Sequence, residues 1–154
     1  MRRKASHLER GGSSPTLATL HKILIALNTS MMDFFAEPAP SAAAGMVFRR
    51  EEMRCVADAR RRYTFLLPRR DDVKVEMLDE YLLPGERDPE FETHPCDVGG
   101  VVLTGMVELE VEGQEAELLR AGDGMYIPAG RKHRGRCAGA EPARLITVYY
   151  PPNY

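Results

Sequence analysis

The chain has 154 residues, 44% hydrophobic and 29% charged, with a net charge of −2; this suits one ordinary domain, or one small domain with an appendage, and argues against disorder. No apolar run approaches the roughly 18 residues of a membrane span, and no apolar core follows the basic opening Met1-Arg2-Arg3-Lys4, so neither a signal peptide nor a membrane partner is expected. Three well-separated cysteines, Cys55, Cys96 and Cys137, point to reduced thiols and a cytoplasmic setting rather than a disulfide framework.

Residues 1–36 read as helical. A short helical end runs to Glu9, where Arg10-Gly11-Gly12 stops it. Ser14-Pro15 opens the next helix, with Ser14 as N-cap and Pro15 at its first position. Leu17, Leu20, Ile23, Leu24 and Leu27 then fall on one face at helical spacing. Asn28 closes that helix, and Ser30 caps a last short one whose apolar side is Met32, Phe34 and Phe35. Residues 1–45 carry five basic against three acidic side chains, while the rest of the chain is net acidic. A basic head on an acidic body is compatible with a nucleic-acid partner, though two charges are a weak signal.

Residues 37–45, EPAPSAAAG, have no amphipathic pattern and read as a linker. From Met46 onward β-formers and period-two alternation take over. Candidate strands cover 46–49, 63–67, 73–81, 101–103, 107–111, 115–119, 124–127, 133–136 and 143–150. Many short strands punctuated by glycine turns argue for a sandwich or barrel. The run Arg60-Arg61-Arg62 reads as a solvated edge, and Glu108, Glu110 and Glu112, alternating with Val107, Leu109 and Val111, read as a solvated strand face.

The most specific stretch is Gly122 to His133, GDGMYIPAGRKH. Its spacing is glycine, five residues, Pro128, one residue, Gly130, two residues, His133, and it resembles the second signature motif of the cupin family. Cys137 stands where that motif ends in asparagine. The first cupin motif is partly kept. Gly85 precedes Glu92 by six intervening residues, Glu92 and His94 occupy the places of the family's His-x-His pair, and Gly105 closes the motif. Val98 fills the family's glutamate position, with Asp97 one residue earlier. The resemblance implies a mainly β chain: a single jelly-roll-like cupin β-barrel over 46–154, with a ligand or metal site at its mouth.

Residues 6–38 resemble the second half of a helix-turn-helix domain of the XRE/Cro type. Ser6 to Gly11 matches the end of the recognition helix and the turn after it, Ser14 to Leu17 opens the fourth helix, and Phe34-Phe35 closes the domain. Arg2, Arg3, Lys4 and Ser6 then fall where DNA contacts would come. About 25 to 30 earlier residues of that family would precede this point, so a further coding stretch upstream of Met1 is expected. Otherwise the head serves as a helical hairpin packed on the barrel or on a partner subunit.

A helix-turn-helix head joined to one cupin barrel resembles a class of bacterial transcriptional regulators. That resemblance implies a DNA partner if the head is complete, a small-molecule effector, and a homodimer, with residues 63–67 or the head at the interface. Glu92, His94, His133, Tyr126 and Tyr149 are the candidate ligand-binding residues. Glu92, His94, His133 and Asp97 are the candidate donors to a divalent metal such as zinc, nickel, iron or manganese. A metal-free polar pocket stands as the alternative, and Cys96 is read as a half-buried free thiol rather than a soft ligand. The rival functions are a small metal-dependent cupin enzyme (an isomerase, lyase or dioxygenase) and a stand-alone ligand-binding cupin. The substitutions at 92 and 98 weaken the enzyme reading.

Overall fold

The computed structural model describes residues 15–35 and 45–153. Arg2, Arg3, Lys4, Ser6 and Ser14, and all of the expected linker but Gly45, lie outside the described residues. Among the described residues two helices, α1 (Leu17–Ala26) and α2 (Met31–Phe34), precede nine strands: β1 (Arg54–Ala57), β2 (Arg61–Phe65), β3 (Glu76–Leu82), β4 (Asp97–Thr104), β5 (Met106–Val111), β6 (Glu117–Arg120), β7 (Gly124–Ile127), β8 (His133–Cys137) and β9 (Ala143–Tyr150). Six antiparallel strands form one sheet in the order β1-β2-β3-β9-β4-β7, and β6-β5-β8 form a second. The mainly β, cupin-type barrel expected from the motifs is the fold observed.

Helix α1 begins later than Ser14-Pro15 suggested. Thr16 is the N-cap, accepting the Thr19 N–H on its side chain. At the other end Asn28 adopts φ 54, the Thr29 N–H reaches the Leu24 carbonyl, and the Asn28 N–H reaches that of Ile25. This is a Schellman stop with asparagine in the left-handed position, as the sequence suggested for Asn28. Leu17, Leu20 and Leu24 are buried, whereas Leu27 is exposed. In α2 the buried residue is Met31, and Phe34 faces outward. The helical stripe is therefore narrower than the sequence reading had it.

These helices share a core with the barrel. Leu17, Leu20, Leu24 and Met31 pack with Tyr63, Phe65, Val98 and Tyr149 in one cluster. A second cluster, around Val102, Val107 and Leu145, fills the rest of the barrel interior. An anchor at the helix entry adds to this packing. Asp58, in the turn between β1 and β2, accepts the Leu17 N–H at 2.6 Å and the Arg60 and Arg61 N–H groups at 2.7 and 2.8 Å. Burial opposes the Asp58 charge, yet these donors hold its carboxyl below the usual range. A carboxylate at a helix N-terminus is favourable for the same reason an anion is. Helix and barrel are thus joined by apolar packing and by a charged cap.

Residues 46–49 do not form the first strand. The Arg49 N–H is accepted by the Glu52 side chain at 2.9 Å, which winds 50–52 into a short 3-10 turn. The strand comes afterward, as β1, and pairs with β2. Residues 63–67 are consequently no sheet edge; β1 occupies that place. Gly105 explains its own identity. It sits at φ +78, and a Cβ there would lie 2.7 Å from the Ala143 Cα, where backbone cannot yield.

Candidate ligand and metal site in the barrel

The inward faces of β2, β3 and β9 follow strict alternation. On β3 the buried residues are Glu76, Leu78, Glu80 and Leu82; on β9 they are Ala143, Leu145, Thr147 and Tyr149. Arg61 and Tyr63 point inward from β2 in the same way. Besides Glu76, three polar side chains, Arg61, Glu80 and Thr147, therefore occupy positions that period two assigns to the interior. Arg61, Glu80 and Thr147 line a cavity of about 50 Å³ together with Tyr63, Tyr149, Glu92, His94 and His133. That is room for roughly three to five waters, or for an ion with part of its hydration shell.

Glu92 and His133 are placed together by the backbone. They form an isolated bridge in which each N–H reaches the other's carbonyl, at 2.7 and 2.9 Å. The Glu92 side chain accepts Arg61 Nη1 on Oε1 at 2.9 Å and leaves Oε2 4.0 Å from His94 Nε2. The His133 Nδ1 contacts the Arg131 carbonyl at 3.0 Å. A carbonyl can only accept, so Nδ1 is the donor in that contact. The His94 ring stands 5.3 Å from that of His133 and 5.2 Å, edge on, from Tyr149. Its Nδ1 is buried without a hydrogen-bond partner among the described residues. Burial above all lowers the His94 pKa to about 2, and the charges of His21, His133 and Arg61 push the same way; the imidazole is neutral, as a ligand must be.

Deeper in the cavity Glu80 accepts the Thr147 hydroxyl and, at 3.4 Å, that of Tyr149. Burial raises its pKa, against the opposing pull of the Thr147 hydrogen bond and the Arg61 charge. Arg61 also donates to the Tyr63 hydroxyl at 3.1 Å and the Gly135 carbonyl at 3.4 Å. The solvated edge expected at Arg60-Arg61-Arg62 is corrected here: Arg61 is 6% exposed and belongs to the cavity.

Of the residues singled out from sequence, Glu92, His94, His133 and Tyr149 come together. Asp97 and Tyr126 do not. Tyr126 is 66% exposed, and its hydroxyl donates to Asp97 Oδ2 while the Ala129 N–H occupies Oδ1 at 2.8 Å. Asp97 therefore clamps the Pro128-Ala129-Gly130 turn from outside, and Tyr126 faces solvent with it. Cys96 is 2% exposed, not half-buried, and burial raises its thiol pKa to about 11, which removes thiolate reactivity. Glu108, Glu110 and Glu112 do form an outer face, each paired across β5 and β8 or its approach with Arg136, Arg134 and Lys132.

Sequence reasoning missed His21. From α1 its ring lies 5.0 Å from that of His94, and His21, Glu92 and His94 each bring a donor atom within 4.8 Å of the others. Two imidazoles, one of them with a buried, unpartnered nitrogen, and one carboxylate are a donor set that fits a divalent transition ion, which would act there as a Lewis acid. The alternation of β3 could have revealed Glu80; nothing in the local sequence marks His21.

Residues 79–149 match the family model of the cupin domain, Cupin_2, in keeping with the cupin-type barrel observed. Across 149 residues the chain is 25% identical to the HTH-type transcriptional regulator PuuR of Escherichia coli strain K12, covering 97% of this chain and 80% of that protein. Among solved structures, an HTH_3 family transcriptional regulator from Vibrio cholerae superposes with a TM-score of 0.69 at 22% identity, over 97% of this chain and 80% of that one. Hydroxypropylphosphonic acid epoxidase from S. wedmorenis superposes at 0.63 with 20% identity, over 96% and 82%. The two structures share the fold.

Proposed function

We propose that the protein is a cytoplasmic transcriptional regulator in which the cupin barrel binds a small polar effector and controls a helix-turn-helix head. The observation that carries this reading is the extent of the likeness to PuuR, which runs through helices and barrel alike over 97% of the chain. Arg2, Arg3, Lys4 and Ser6 are the DNA contacts of this proposal. Glu92, His94, His133 and Tyr149 hold the effector, with Arg61 orienting Glu92. The functional unit is a homodimer, paired through the free edge of β1 or through the head, where Leu27 and Phe34 are exposed. An effector that favours one arrangement of two barrels resets the spacing of two heads, and so the fit to paired half-sites. Selection from a random DNA pool by the protein expressed from its native gene tests the reading. Enrichment of a two-fold symmetric site is expected, and an unenriched pool contradicts it.

A second reading, a small metal-dependent cupin enzyme, is favoured by one observation: the two-histidine, one-carboxylate grouping of His21, Glu92 and His94. Metal analysis of the purified protein followed by turnover assays separates it from the first.

A further inference from the structure

We infer that the helix-borne His21 completes the divalent-metal site offered by Glu92 and His94, so that a bound ion fastens α1 to the barrel. Three observations carry this. The donor atoms of the three side chains lie within 4.8 Å of one another. Donors at about 2.0–2.2 Å from a tetrahedral zinc-like ion stand roughly 3.4 Å apart, so the 4.0 Å between Glu92 Oε2 and His94 Nε2 closes with a shift of about half an ångström. Arg61 engages only Glu92 Oε1, which steers the free oxygen while leaving it available. A second acid, Glu86, lies 4.0 Å from Arg61 Nε, so the guanidinium charge beside the ion is shared between two carboxylates.

The ligand chemistry selects the ion class. Two imidazoles with one carboxylate favour zinc, nickel or iron(II) over magnesium or calcium, which prefer oxygen donors. Val98 fills the motif position where the cupin pattern carries a carboxylate, and α1 supplies the donor that barrel lacks. His21 Nε2 lies 3.2 Å from the Asn153 side-chain amide; with the amide oxygen turned to that nitrogen, Nε2 carries the ring proton and Nδ1 is left to ligate the ion. A ligand shared between helix and barrel makes ion binding and helix docking one equilibrium. Any regulatory use of that link rests on the function proposed above; the ion site itself does not.

Calorimetric titration of the chelator-stripped protein with zinc, and with magnesium as control, reads the site. One equivalent of zinc and no magnesium is expected to bind, the His21 ring nitrogen resonances to shift, and amide exchange over 17–26 to slow. His21→Gln, which keeps a polar partner for Asn153, is expected to weaken zinc binding by about tenfold or more and to abolish the slowing. Zinc bound equally well by His21→Gln, unshifted His21 resonances in the unmodified protein, or no zinc binding at all would overturn the inference. The resonance measurement decides it even if the variant fails to fold. Loss of DNA binding with the zinc results intact would remove only the regulator reading.

Discussion

His21 and His94 stand with ring centroids 5.0 Å apart, although one belongs to α1 and the other to the loop entering β4. No strand pairing forces that proximity. It follows from the apolar face of α1, which seats Leu17, Leu20 and Leu24 against Tyr63, Phe65 and Tyr149 and so turns His21 toward the Glu92–His94 pair.

That seat is expected to be the main source of helix stability, since ten residues are too few for an isolated helix in water. Leu24 is 2% exposed, and Leu24→Ala should destabilise the protein by about 2–5 kcal/mol in denaturant titration. A change under 1 kcal/mol, on the order of a surface substitution, would mean that α1 is not part of the cooperative unit.

Asp58→Ala removes the acceptor for Leu17, Arg60 and Arg61 N–H groups at once. The expected loss is about 1–2 kcal/mol, the range for a helix cap. Amide exchange over 17–26 should accelerate more than exchange over β3 or β9. Uniform acceleration across the chain would assign Asp58 to the hairpin turn alone.

Arg61→Met should be among the most damaging single changes in the barrel. It strands the largely buried Glu92 carboxylate and the buried Tyr63 hydroxyl without their cation, and breaking a buried pair costs about 3–5 kcal/mol. Arg61→Met combined with Glu92→Gln should recover part of that loss. Strict additivity in thermal unfolding would show that the pair does not interact.

Glu76 gives a pH dependence with a definite sign. Burial raises its pKa to about 7, against a backbone hydrogen bond from Asn153, and its Oε2 has no hydrogen-bond partner among the described residues. The folded state thus prefers the protonated form. The stability this contributes is complete below the unfolded-state pKa of about 4.3 and is lost as pH rises through about 7. Compared with Glu76→Gln, the unmodified protein should lose at most about 3 kcal/mol between pH 5 and pH 8. Parallel pH profiles for the two proteins would contradict the assignment.

Much of the barrel was legible because its signals are local. Glycine and proline fix the turns of the second motif, and period two marks the strands that follow. His133, Glu92 and His94 were found through motif spacing, which reports position along the chain. Asp97 neighbours the motif's glutamate position and Tyr126 lies on a strand that could line the barrel, yet the β4–β7 register turns both outward, with Gly99 opposite Tyr126. Arg61 was hidden by its basic neighbours, because a triple arginine looks solvated unless its middle member is read against the alternation Arg61, Tyr63, Phe65. His21 was illegible for a deeper reason. Its role depends on where a helix docks, and docking is set by long-range packing and the Asp58 cap.

The central claim is that the state of the barrel cavity controls DNA binding through α1. Its most direct test is the affinity of the protein for its selected DNA site, measured by fluorescence anisotropy with zinc present and with zinc removed by chelator. An affinity change of roughly tenfold is expected in the unmodified protein and none in His94→Ala. Equal affinity in both conditions for the unmodified protein would contradict it.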